Sequence, residues 1–378
     1  MVQEGLMQVF PVRTPAGRYD VHIERGALLR AGRLVHAVIG RRKLFVIADE
    51  AVWALLGQRL GRGLANAEWM PLAVTLGEPR KRLSSVEELC DRLHAAGADR
   101  SSAVLAFGGG IAGDVGGFVA ACYMRGIDCV QIPTTLLAQV DASVGGKTGV
   151  NLEGGKNLVG AFHQPRLVVV DPATLDTLPE REYRAGIQEV VKHGIIRSAA
   201  LFGFMESQRE AVLARELAAV ERMIGDSVRI KAAVVREDER EGGLRRILNF
   251  GHTLGHALEA ETGYRTLLHG EAVAFGMVAA ARLSELRGRL RAADRSRIES
   301  VVLSYAPDLR DGLQSVEPAR VAARIGGDKK AVGGKARFVL AMGIGRTAEE
   351  LDPPASDVLS ATRHALQACR RAGRKAEQ

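Results

Sequence analysis

The chain reads as two halves with different hydrophobic rhythms. In the first half, compact apolar runs alternate with stretches of helical period. RKLFVIADE (42–50) is an apolar run closed by acids, which predicts a buried strand. SVEELCDRLHAAGADR (85–100) places Val86, Leu89, Cys90 and Leu93 on one helical face. SAVLAFGGG (102–110) is a strand running into glycines, and GDVGGFVAACYMRG (113–126) reads as the helix that follows it. DCVQIPTT (128–135) and RLVVVDP (166–172) are further strands. Strands alternating with helices predict a parallel sheet in an α/β, Rossmann-like domain.

From about residue 178 the period changes. REYRAGIQEVVKHGII, AAVERMIGDSVRIKAAVVREDER, NFGHTLGHALEAETG and EAVAFGMVAAARLSELRGRL are all helical in spacing, and RFVLAM (337–342) is the one clear strand signal. A second, mostly helical domain is expected, with domains over 1–179 and 180–378 of the 378 residues.

Composition changes this picture little. Hydrophobic residues make up 47% and charged residues 25%, ordinary for a globular enzyme. No apolar stretch is long enough to span a membrane. The first residues lack the basic-then-apolar layout of a signal peptide, and the four cysteines form no C-x-x-C pair. A cytoplasmic protein with reduced thiols is expected. The net charge of +8 is dispersed, its densest run being RRAGRK (370–375), which reads as a solvated tail. Dispersed charge argues against nucleic acid and for an anionic small substrate.

The candidate chemistry lies in three places. Gly108, Gly110 and Gly113 satisfy G-x-G-x-x-G between a strand and a helix, the context in which backbone amides meet a pyrophosphate. Asp49, at the end of an earlier strand, is the better ribose candidate. The alternative is a tight strand-to-helix turn. Gly146, Lys147 and Thr148 fail as a nucleotide P-loop, because the position requiring glycine holds Asp141. The second place is DASVGGKTGVNLEGGKN, a glycine-rich stretch read as a loop, which holds Asp141, Lys147, Lys156 and Asn157.

The third is LNFGHTLGHALEAETGYRTLLHGEAV (248–273), with His252, His256 and His269. A zinc protease would need Glu inside the four-residue gap, and the gap is Thr253, Leu254, Gly255. Glu189 and Lys192, three apart in an apolar helix, need a partner or a cation. Glu241, Arg245, Asn249 and His252 follow in order, and on one continuous helix 245, 249, 252 and 256 would share a face. Two histidines and a carboxylate suit a catalytic zinc site. Spacing alone does not say which histidines bind.

In order and spacing, FGGGIAGDVGGFVAACYMRG, QIPTTLLAQVDASVGGKTGVN, GKNLVGAFHQP, EVVKHGI, EDEREGGLRRILNFGHTLGHALEAETGY and LHGEAVAFGM are similar to the 3-dehydroquinate synthase family of sugar phosphate cyclases. The resemblance is strong over 103–277 and returns at 328–330. It implies conversion of 3-deoxy-D-arabino-heptulosonate 7-phosphate to 3-dehydroquinate and phosphate in the shikimate pathway, a lyase reaction with catalytic NAD and Zn2+ or Co2+. It implies Glu189, His252 and His269 as metal ligands, and His256 as a proton-handling, phosphate-contacting group. For NAD it implies Asp49, Glu78, Lys81, Gly109, Gly110, Ile111 and Asp114. Thr134, Thr135, Lys156 and the segment Thr174, Leu175, Asp176, Thr177 complete that set. Around the substrate it implies Arg125, Asp141, Lys147, Asn157, Lys192, Lys231, Glu241, Arg245, Asn249 and Lys329 or Lys330. Lys231 and Arg245 would meet the carboxylate. Lys147, Asn157, Asn249 and the lysine at 329 or 330 would cradle the phosphate. Lys147, Glu241, Asn249 and His256 are the expected catalytic groups. Arg125 is expected to reach a neighbouring subunit's site, which implies a homodimer.

Departures are small: Gln188 stands where Ala is usual, His163 where Tyr is common, and Gly326 and Gly327 precede Asp328. The rivals are an aminodehydroquinate synthase or other cyclase, and a metal-dependent polyol dehydrogenase of the same fold. The first keeps the carboxylate. The last would not need the phosphate cradle.

Overall fold

The structure, a computed structural model, describes residues 7–306, 309–325 and 336–375. The chain divides into two compact units, residues 1–179 with 220–240, and 180–219 with 241–378.

The first unit is built on a seven-stranded sheet. Its strands are β1 (Gln8–Thr14), β2 (Gly17–Ile23), β3 (Leu44–Asp49), β4 (Trp69–Val74), β5 (Ala103–Gly108), β6 (Asp128–Pro133) and β9 (Leu167–Val170), in the order β1-β2-β9-β6-β5-β3-β4. β1 pairs antiparallel with β2, and every other pairing is parallel. Strands covered on both faces read as continuous apolar runs, and LFVIA and AVLAF are buried throughout. Along β3, Leu44, Val46 and Ala48 enter one core with Leu56 and Leu60. Phe45 and Ile47 enter a second core with Leu89, Val115 and Val119. Helices therefore cover both faces, the arrangement that sequence alternation predicts.

The stretch read as a glycine-rich loop is instead an antiparallel hairpin, β7 (Lys147–Leu152) with β8 (Gly155–Phe162). Its period-two signal is short and broken by glycine. Val150 still turns inward to the second core, and Thr148 Oγ1 donates to Ala161 O at 2.9 Å.

The helix Leu217–Glu237 is the exception to a simple division at residue 180: residues 220–240 group with the first unit. Arg229 stacks over Phe10 of β1, 5.3 Å from the ring centre, and Lys231 pairs with Asp141. Helical period alone carries no information about which unit a helix joins.

The second unit centres on the helix His269–Leu286, buried on nearly all sides, as its apolar residues around the full circumference require. Around it stand Glu180–Arg197, His252–Glu261, Ala292–Tyr305 and Ala355–Lys375, with the hairpin β10 (Arg337–Gly343) and β11 (Arg346–Leu351). The basic run near residue 370 is not a free tail. It continues the last helix, and Arg370 donates to Leu313 O and Val316 O at 2.8 Å.

Candidate functional site

In the second unit, close helix approaches bring a carboxylate and three imidazoles together. A side-chain carbon on Gly270 would strike the backbone of Ala185, so the helices carrying His269 and Glu189 touch there. A carbon on Gly276 would strike Gly251 O and lie 2.9 Å from Gly255 N, so the His252 helix is equally close. Arg181 and Glu271 pair at 2.5 Å, while Glu271 Oε2 accepts from Leu268 N at 2.8 Å, fixing the start of the His269 helix.

The expected continuous face from Arg245 to His256 is broken. Leu244–Asn249 is a 3₁₀ turn, Gly251 takes φ 80°, and the α-helix begins at His252. That left-handed glycine lies against Met277, where a side chain would be both strained and obstructed.

Glu189 is fully buried. One side of its carboxylate pairs with Lys192, itself buried. Oε1 stands 3.9 Å from His252 Nε2 and 3.7 Å from His269 Nε2, and no hydrogen-bond donor among the described residues reaches it. Donor atoms of the three residues lie within 4.8 Å of one another. Ligands about 2.0–2.1 Å from a tetrahedral zinc stand about 3.4 Å apart, so the two Glu189–histidine distances are a few tenths of an ångström wider than in a filled site. Two imidazole nitrogens and one carboxylate oxygen suit zinc or cobalt. The residues fit the ion.

The environment sets the charge of each ring. Burial holds His252 well below the ordinary histidine range, helped by the Lys192 charge and the neighbouring rings, so it stays neutral. His252 Nδ1 is 3.2 Å from Phe250 O. A carbonyl only accepts, so Nδ1 carries the proton and Nε2 keeps a lone pair toward Glu189. For His269 burial also lowers the pKa, but Glu259 and Glu189 outweigh it and the net direction is up. Glu259 is buried beside both His256 and His269. Sequence reading passed over it, although 252, 256 and 259 fall on one helical face.

Nearby in the chain, Asn249 Nδ2 donates to Glu241 Oε1 at 2.7 Å, and Arg245 is buried. Seven described residues other than glycine have positive φ, and three of them were singled out from sequence: Arg125 (67°), Asn157 (52°) and Glu241 (62°). Such a backbone costs on the order of 1–3 kcal/mol outside glycine and concentrates at functional positions.

In the first unit, β5 runs into Gly108 at φ 151°, and Gly109 caps the helix Gly110–Cys122. That helix presents unpaired N–H groups at its start, the geometry that binds pyrophosphate. Thr134 N donates to Gly108 O at 2.9 Å, which ties the two threonines to the glycine turn. Lys81, almost fully buried, donates at 2.5 Å to both Asp114 and Asn157. Burial raises the Asp114 carboxyl, with Lys81 pulling it back. Glu78 accepts from Asn151 at 2.8 Å and pairs with Lys156 at 3.5 Å. Asp49 is a helix cap, accepting from Ala51 N at 2.9 Å and Leu76 N at 2.8 Å, and a carboxylate oxygen can accept a second hydrogen bond.

Gln139 Nε2 joins Pro133 O to Thr174 Oγ1, at 3.2 and 2.9 Å, so the two threonine segments are held together. Thr177 Oγ1 donates to Thr174 O, Asp176 pairs with Arg25 at 2.6 Å, and Leu175 is buried in the core. Ile111 packs on the second core. Lys231 pairs with Asp141, while Lys147 and Arg125 are exposed. Lys329 and Lys330 lie outside the described residues.

This architecture is that of the sugar phosphate cyclases. 2-Epi-5-epi-valiolone synthase from Streptomyces hygroscopicus subsp. jinggangensis, solved with NAD+ and Zn2+, matches with TM-score 0.84 and 31% identity over 92% of this chain and 97% of that one. A 2-deoxy-scyllo-inosose synthase solved with carbaglucose-6-phosphate, NAD+ and Co2+ matches with TM-score 0.85 and 26% identity, covering 94% and 99%. Within that class sequence decides further. The 3-dehydroquinate synthase N-terminal model matches residues 71–185 and the C-terminal model 186–331. The 3-dehydroquinate synthase of Solibacter usitatus is 51% identical over 339 residues, 90% of this chain and 94% of that protein. The chain belongs to the 3-dehydroquinate synthase family, whose members are lyases.

Proposed function

We propose that the chain converts 3-deoxy-D-arabino-heptulosonate 7-phosphate to 3-dehydroquinate and phosphate, with NAD served by the first unit and a divalent metal by the second. The observation that carries this is buried Glu189, with one oxygen turned toward His252 Nε2 and His269 Nε2. NAD, when bound, supplies a reversible hydride acceptor, and the metal a Lewis acid for an alcohol oxygen.

The chain's own residues do the rest. Glu189, His252 and His269 hold the metal. The helix start at Gly110 offers N–H groups to the pyrophosphate. Thr134, Thr135 and the 174–177 segment flank the nucleotide, with Asp49, Glu78, Lys81, Ile111, Asp114 and Lys156. Lys147, Asn157 and Asn249 are the residues assigned to the phosphate. Lys231 and Arg245 are carboxylate partners, and cationic groups are what a substrate with a carboxylate and a phosphate demands. His256 Nε2 moves the proton, and Glu241, held by Asn249, assists. The homodimer, with Arg125 on an exposed strained turn, and a cytoplasmic location belong to the same reading.

The test is phosphate release from that substrate with catalytic NAD and added zinc, following NADH absorbance in parallel. Phosphate release with dehydroquinate formed and no net NADH supports the assignment. Stoichiometric NADH without phosphate would mean a dehydrogenase. Turnover of an amino analogue or of sedoheptulose 7-phosphate alone would mean another cyclase.

A further inference from the structure

His252 and His269 present their rings in the same sense. Each turns Nε2 toward Glu189 and Nδ1 toward an oxygen acceptor: Phe250 O at 3.2 Å for His252, Glu259 Oε1 at 3.6 Å for His269. Glu259 is only 3% exposed, and its other oxygen, Oε2, stands 4.0 Å from His256 Nε2. The rings of His256 and His269 lie 5.9 Å apart at 32°. One buried carboxylate thus faces both the expected metal ligand and the expected proton carrier.

We propose that Glu259 is the positioning residue of this histidine pair. One oxygen keeps the proton of His269 on Nδ1, so that Nε2 presents its lone pair beside Glu189 and His252. The other oxygen holds His256 in place. The inference rests on the reading of Glu189, His252 and His269 as the metal ligands. It assigns Glu259 no contact with substrate or ion. An ionised carboxylate only accepts, so it enforces one tautomer, whereas an amide both donates and accepts and does not. Carboxylates behind metal-bound histidines contribute about 10–100-fold to affinity.

The experiment is Co2+ binding to the full chain, read by chelator competition and by the visible absorption of bound cobalt. Wild type, Glu259→Gln, His269→Ala and the double variant are compared, with the unfolding midpoint of each metal-free protein as a fold control. The expected result is a loss of about 10–100-fold in Glu259→Gln with an altered cobalt spectrum. In the His269→Ala background the same change should cost less than about twofold more, because its route is already gone. Glu259→Asp keeps the charge but shortens its reach, and serves if the glutamine variant does not fold; a smaller loss in the same direction is expected.

Affinity in Glu259→Gln or Glu259→Asp equal to wild type overturns the proposal. So do additive losses in the double variant, which would mean general packing. A second cobalt per chain that vanishes in Glu259→Gln also overturns it, because His256, Glu259 and His269 would then be a cation site of their own. Wild type that binds no cobalt removes the metal reading itself, and this inference with it.

Discussion

Asn249 Nδ2 donates a 2.7 Å hydrogen bond to Glu241 Oε1, and Glu241 holds its backbone at φ 62° to receive it. A glutamate in that region is strained, and the strain fixes the carboxylate relative to the 3₁₀ turn that carries Asn249. Glu241→Gln keeps the shape and the acceptor oxygen but removes the charge. If Glu241 assists proton transfer, kcat should fall by about 10²-fold or more while the melting temperature stays unchanged. Activity within about threefold of wild type, in a normally folded variant, would remove Glu241 from the catalytic set.

Gly276 sets the distance between the His252 and His269 helices. An added methyl would meet Gly251 O and Gly255 N. Alanine returns up to about 1 kcal/mol in helix propensity, but overpacking costs about 1–3 kcal/mol, so the collision wins. Gly276→Ala should lower the melting temperature and, by spreading the histidines, weaken zinc binding. An unchanged or higher melting temperature would show that the helices part freely and that their spacing is not fixed by this contact.

Among the described residues Glu189 is the carboxylate facing both Nε2 atoms, so Glu189→Ala should drop bound zinc far below one per chain. It also removes the carboxylate that pairs with buried Lys192, which costs stability. Glu189→Gln keeps the volume and an acceptor oxygen for Lys192 while removing the anionic ligand, so its fold should suffer less than its zinc binding. Stoichiometric zinc in both variants by elemental analysis would contradict the ligand assignment.

How far the sequence carries can be read from particular residues. The sheet was legible because LFVIA and AVLAF are continuous apolar runs, a signature that survives without tertiary context. The hairpin from Lys147 was not, because glycine interrupts its alternation. The helix Leu217–Glu237 was legible as a helix, but its partners Phe10 and Asp141 are far away in sequence. The break at Gly251 was hidden because glycine is also tolerated inside helices, and only Met277 shows why it turns left-handed. Glu259 went unremarked because a buried acid on an amphipathic helix looks like a surface one until its neighbours are known.

The four thiols provide a check on burial that does not depend on activity. All are free. Burial disfavours the thiolate and pushes Cys129 and Cys369 up to about 12, and half-buried Cys90 to about 11. Cys122 is exposed, and its partial burial raises the thiol pKa. The thiolate is the nucleophile, so at about pH 8 only about one in 10⁴ of the Cys129 or Cys369 thiols would be ionised even if reagent could reach them. Raising the pH should speed labelling about tenfold per unit while the pH stays below each pKa. Native protein should therefore label first at Cys122, more slowly at Cys90, and at Cys129 and Cys369 only once unfolded. Peptide mapping after a timed alkylation gives the order directly. Early labelling of Cys129, at the centre of the parallel sheet, would mean that the sheet opens on the timescale of the reaction. The glycine turn it supports could not then be a fixed cradle for a nucleotide.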